Sequence, residues 1–99
     1  MSLFETGLVV MTPGVRELIE TESKAAELIQ RCLDRHTSGD WGDLCDDDKQ
    51  LNQNSLDEER EKGYTYENLF SSYDTDLEKI YVITECDRSV TTILLSEEY

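Results

Sequence analysis

Positive charge is scarce in this chain: nine Lys and Arg stand against 23 Asp and Glu, a formal charge of −14 over 99 residues. Phosphate backbones and anionic lipid surfaces repel such a protein, so direct binding of DNA, RNA or a membrane is disfavoured. The three cysteines, Cys32, Cys45 and Cys86, form no CxxC pair, which removes zinc ribbons and thioredoxin-like sites. No apolar run approaches the roughly 18 residues of a membrane span. Glu5 sits where a signal peptide would carry positive charge, so a cytoplasmic setting with reduced thiols is expected. The five glycines include no GxGxxG, which leaves no dinucleotide fingerprint. No cofactor and no metal centre is expected.

What apolar sequence there is, 37% of the chain, is concentrated. Leu3, Phe4 and Leu8–Met11 form a short run that reads as a strand. Thr12 and Pro13 then suit the N-cap and first position of a helix, which Val15, Leu18 and Ile19 continue. Ser23 is placed to cap a second helix, whose Ala25, Leu28, Ile29, Cys32 and Leu33 recur at helical spacing. A third helix is expected over 46–60, its Asp-rich first turn favoured by the helix dipole. Beyond Gly63 the period shifts to two. Tyr64, Tyr66 and Phe70, then Ile80–Glu85, then Val90–Leu95, read as three strands, the last two joined by a turn at Cys86-Asp87-Arg88-Ser89. The order β-α-α-α-β-β-β predicts one α+β domain over 1–99, a small antiparallel sheet with the helices packed on one face.

Residues 40–61 hold nine carboxylates (Asp40, Asp43, Asp46, Asp47, Asp48, Asp57, Glu58, Glu59, Glu61) against Lys49 and Arg60. Helical carboxylates three and four apart lie about 5–6 Å from one another, and DNA carries a charge every ~3.4 Å per strand. A rigid acidic row could therefore face a basic groove, with Trp41 as an anchor at its edge. A solvated face on an acidic protein accounts for the same residues. Asp46, Asp48, Gln50, Asn52, Asn54 and Asp57 also fall in an EF-hand-like frame, but Leu51 occupies the glycine position and the residues fit a helix better than a loop.

The polar residues offer a second arrangement. His36, the single histidine, could join Asp40, Trp41, Glu85, Asp87 and Arg88 in a cleft that binds a small ligand or performs acid–base chemistry. Against this, a histidine near a helix end commonly serves the helix dipole. A tryptophan between glycines commonly folds back on the core. Asp87 and Arg88 suit a tight turn.

Two stretches, His36–Leu44 with Asp48 and Asn52, and Ile83–Tyr99, resemble a family of small plasmid-related proteins found on mobile elements of proteobacteria. Ser96 stands where the family pattern has proline. Members are sometimes labelled as the methylation subunit of a type I restriction system. That activity requires a doubly wound sheet with a Gly-rich turn for its cofactor, and neither is encoded here. The resemblance implies a mobile-element protein, and the label either its genomic neighbourhood or an association with restriction systems.

The combined expectation is a non-enzymatic, acidic interaction module whose partner is a basic protein surface, such as that of a nucleic-acid-binding protein. A nucleic-acid-mimicking inhibitor of a restriction or CRISPR-type system is one form of it. A homodimer through the edge of the 80–95 hairpin is a further expectation.

Overall fold

The computed structural model describes residues 2–99. Strand β1 (Leu8–Met11) is followed by helices α1 (Pro13–Thr21), α2 (Ala25–Thr37) and α3 (Asp46–Lys62). Strands β2 (Leu69–Asp74), β3 (Lys79–Thr84) and β4 (Val90–Leu95) come next, and a single 3-10 turn, Ser96–Glu98, closes the chain. The fold is α+β, with the expected order of elements.

The sheet is mixed, and not wholly antiparallel. Its order is β1-β4-β3-β2. The β2-β3-β4 meander is antiparallel, whereas β1 runs parallel to β4. A parallel pair needs a long crossover, and the three helices with the meander supply it. β3 and β4 are therefore interior strands, so the hairpin they form has no free edge through which a second copy could pair.

Alternation along the strands gives the sheet two unlike faces. Tyr73, Ile80, Val82, Ile93 and Leu95 point to one side, where they pack with Val15, Ile29 and Cys32 of α1 and α2. The opposite side carries Phe70, Tyr81 and Ile83, which stay half-exposed. Among the described residues, α1 and α2 are the helices packed on the cluster of the first face. α3 lies along the outer edge of β2, where Leu56 joins Phe4, Trp41 and Leu69 in a second, smaller cluster.

Local chemistry explains most boundaries. Pro13 opens α1, but the Thr12 side chain caps nothing there; its hydroxyl donates to Glu98 Oε1 at 2.5 Å, and Glu98 Oε2 accepts from Gly14 N at 3.1 Å. A carboxylate from the far end of the chain thus caps the first helix. Lys24, and not Ser23, occupies the N-cap of α2. Gly63 ends α3 in the left-handed conformation at φ 83°, which costs a glycine little. Tyr64 and Tyr66 lie outside any strand and are exposed; β2 begins at Leu69.

Candidate functional site

His36 extends the buried stripe of α2 by one turn, following Ala25, Ile29 and Cys32, and has no exposed surface. Its Nδ1 lies 2.5 Å from Ser71 Oγ and its Nε2 2.9 Å from Thr84 Oγ1. Thr84 Oγ1 is 2.8 Å from Thr91 Oγ1, which donates to the Thr6 carbonyl at 2.8 Å. A carbonyl only accepts, so this last bond fixes every proton before it. Thr91 spends its proton on Thr6, Thr84 on Thr91, and Nε2–H of His36 on Thr84. Nδ1 is left to accept from Ser71. The imidazole is neutral, and burial, assisted by the positive charge of Arg88, lowers its pKa to about 4.

The polar cleft therefore does not assemble. His36 is walled off by Phe4 and Trp41, whose ring centroids lie 5.3 and 5.7 Å away, and both its nitrogens are occupied. Asp40 faces Arg35, whose Nε and Nη2 donate to it at 2.7 and 3.2 Å; that pairing holds the Asp40 carboxyl below its usual range. Asp87 accepts from Ser89 N and Oγ inside its own turn, and the hydroxyl bond lowers its pKa. Glu85 is exposed. Arg88 is buried: Nη2 donates to Ser55 Oγ at 3.0 Å, and Nε lies 3.2 Å from Glu59 Oε2 without a well-aligned hydrogen bond. Cys32 is buried and its thiol is pushed up to about 11 by desolvation, which suppresses the nucleophilic thiolate.

Trp41 is likewise no surface anchor. It is 7% exposed and stacks with Phe4 at 6.3 Å. The glycine beside it serves the core: Gly42 (φ 77°) pairs with Ser72 beside β2, and an added Cβ would lie 2.0 Å from the Ser72 carbonyl oxygen.

This contact is one of several that seal the outer edge of β2. Asp43 N donates to Ser72 O at 2.7 Å, and the Asp43 carboxylate accepts from Asp74 N at 2.6 Å. Asn52 reaches from α3 to Phe70, donating to its carbonyl at 2.7 Å and accepting from its amide at 3.0 Å. Ser55 donates to Glu67 O at 2.8 Å. These bonds satisfy an edge that would otherwise invite another strand, and they fix the orientation of α3.

The acidic residues of α3 divide accordingly. At about 100° per residue, Asp46, Asp47, Asp57, Glu58 and Glu61 share an outward arc of about 120°, whereas Asp48 and Glu59 turn towards the sheet. Asp46, Asp47, Asp48, Asp57 and Glu61 are exposed; Glu58 and Glu59 are half-buried, the Glu58 carboxyl lowered chiefly by a hydrogen bond from Thr65. The row is not continuous. Its middle turns present Gln50, Gln53 and Asn54, tied by Gln50–Asn54 and Gln53–Asp57 bonds of 2.9 and 3.0 Å, so two acidic groups stand about 16 Å apart. The EF-hand-like frame is wound into this helix.

Between α3 and the open face of the sheet runs a groove of about 690 Å³. Phe70, Tyr81 and Ile83 form its floor, Leu51 and Tyr66 flank it, and Tyr99 folds back over it from the C-terminal end. The Phe70, Tyr81 and Tyr99 rings lie 4.9–5.8 Å apart in tilted and edge-on arrangements. Asp48, Glu67 and Glu85 supply three carboxylates, and no Lys or Arg is among the described residues that line it. Sequence reasoning missed this site. The alternation of Tyr81 and Ile83 against Ile80 and Val82 was its one readable signal.

Among the described residues no helix is long and apolar enough to cross a membrane. Comparison with family models, curated proteins and solved structures returned no match to this chain.

Proposed function

We propose that this chain is a non-enzymatic interaction module whose partner is a basic protein surface, of the kind nucleic-acid-binding proteins carry. The observation that carries this reading is the outward arc of α3, pinned to the sheet edge by the Asn52–Phe70 hydrogen bonds with Asp46, Asp47, Asp57 and Glu61 exposed. Six of the nine Lys and Arg are within ion-pair distance of the protein's own carboxylates. The charge left facing solvent is thus overwhelmingly negative, and such a field steers a cationic partner towards it.

The two acidic groups with amides between them favour recognition of separate basic clusters over imitation of an evenly spaced phosphate ladder. The resemblance to plasmid-related proteins makes a host restriction or defence protein the partner to look for first.

Affinity capture with the wild type and with D46N/D47N/D57N/E61Q, at about 0.1 and 0.5 M salt, tests the proposal. Captured proteins should be basic, and they should be lost both from the variant and at the higher salt. Capture indifferent to both changes refutes it.

A further inference from the structure

The fold twice builds the same arrangement from its own residues: an arginine lying over an aromatic ring with a carboxylate at its nitrogens. The Arg35 guanidinium carbon is 4.6 Å from the Tyr73 ring centroid while Asp40 accepts its Nε and Nη2. The Arg88 carbon is 5.9 Å from the Phe4 centroid while Glu59 lies 3.2 Å from Nε. In the groove beside α3 the aromatic and acidic parts occur a third time, without the cation. Phe70, Tyr81 and Tyr99 supply rings, and Glu67 and Glu85 supply carboxylates that no ion pair of the described residues engages.

We propose that this groove is a receptor for an arginine side chain carried on an extended segment of the basic partner, an inference that rests on the reading of the protein as an acidic interaction module. The π-face of an aromatic ring attracts a cation, and the carboxylates can accept the fork of a guanidinium in pairs. Arginine fits better than lysine because its planar, weakly hydrated head stacks and pairs at once.

The segment is extended because of the groove's shape. Tyr81, Ile83 and Glu85 follow one another along a single side of β3 and its exit, about 13 Å from end to end, which matches about four extended residues. A second copy of this chain is the wrong occupant, since each copy carries a formal −14. Tyr66 and Tyr99 are 81% and 79% exposed. Large aromatics left in water around a groove are the residues that most often dominate a contact once covered.

The probe is a synthetic peptide of alternating glycine and arginine, with matched peptides carrying lysine or citrulline, titrated calorimetrically into the full chain. Citrulline keeps the shape and removes the charge. The arginine peptide should bind, the lysine peptide more weakly, and the citrulline peptide at least about tenfold more weakly. Tyr99→Leu and Glu85→Gln, both at exposed positions that the fold does not need, should each weaken the arginine peptide severalfold to about tenfold.

Equal binding of arginine and citrulline peptides, or affinity unchanged in both variants, overturns the receptor. Equal binding of the lysine peptide overturns the arginine assignment. Peptide binding abolished by D46N/D47N/D57N/E61Q but untouched by Tyr99→Leu and Glu85→Gln overturns the groove and leaves the acidic helix as the binding surface. Binding governed by the groove variants, with protein capture indifferent to the helix variant, keeps the groove and removes the helix.

Discussion

Lowering the pH from 7 to 4 should unlock the buried His36 network, and the loss can be worked out from its geometry. The imidazole is fully buried, donates through Nε2 and accepts through Nδ1, and its pKa is lowered from 6.5 to about 4. The unfolded chain takes up a proton near pH 6.5, whereas the folded chain resists until about 4, so acid favours unfolding across that window. The contribution is complete above about pH 6.5, declines as the pH falls, and levels off below about 4. The displacement corresponds to about 3 kcal/mol, or about 15 °C in melting temperature for a domain of this size.

Relief of carboxylate repulsion acts in the opposite direction at the acid end, so the assay is differential. Unfolding free energies of the wild type and His36→Gln are measured by urea at several pH values, and their difference should shrink by about 3 kcal/mol between pH 7 and 4. Because the chain has one histidine, its Hε1 proton gives a single NMR signal that reads the folded titration even if the variant does not fold. A midpoint near 6.5 in the folded protein, or parallel pH profiles for the two proteins, refutes the buried network.

Three further outcomes follow from the same contacts. Asn52→Ala should cost about 2–4 kcal/mol by urea unfolding, because it strands the Phe70 amide and carbonyl, and hydrogen exchange at the Phe70 amide should accelerate. Gly42→Ala should unfold the protein or destabilise it far more than Gly63→Ala, since a Cβ at 42 meets the Ser72 oxygen at 2.0 Å while one at 63 meets nothing within 4 Å; the second costs about 1 kcal/mol for its left-handed backbone. A thiol reagent should modify exposed Cys45 first and Cys32 only on unfolding, which timed mass spectrometry resolves.

The elements were legible where local chemistry decides them. Thr12-Pro13 marked the start of α1, the stripe from Ala25 to Leu33 marked α2, and the alternation of 80–85 and 90–95 marked the hairpin. β2 was not legible. Tyr64 and Tyr66 carry the residue types of a strand, yet they are exposed, while Ser71 and Ser72 in the true strand look like turn residues. Ser71 points inward with Leu69 and Tyr73 and meets a histidine 35 positions earlier, and no window of sequence contains both. The groove was hidden for the same reason: Phe70 meets Tyr81 through strand register, and Tyr99 joins them only because Glu98 is drawn to the start of α1. Seven of the nine carboxylates read from composition lie on α3, while Asp40 and Asp43 precede it and bind Arg35 and the Asp74 amide; the angle at which each helical one leaves depends on where Asn52 and Ser55 dock.

That docking explains how so charged a helix belongs to the fold at all. α3 has 17 residues, and of its buried ones, Asn52, Ser55 and Leu56, only Leu56 is aliphatic, so apolar burial contributes little to its attachment. Its position is set by the Asn52 amide on Phe70, by the Ser55 hydroxyl between Glu67 and Arg88, and by Glu59 against buried Arg88. Such bonds are directional. They fix the rotation of the helix about its axis, which greasy contact would leave looser. A helix held by polar pins on one side is free to vary its other side without loss of core, and here that side carries Asp46, Asp47, Asp57 and Glu61. If the pins set the orientation, Ser55→Ala should loosen α3 and weaken salt-sensitive capture of basic proteins while every carboxylate of the outer arc remains in place. Capture at wild-type strength by Ser55→Ala, in a protein whose α3 amides exchange faster, would show that the acidic charge acts without a fixed surface.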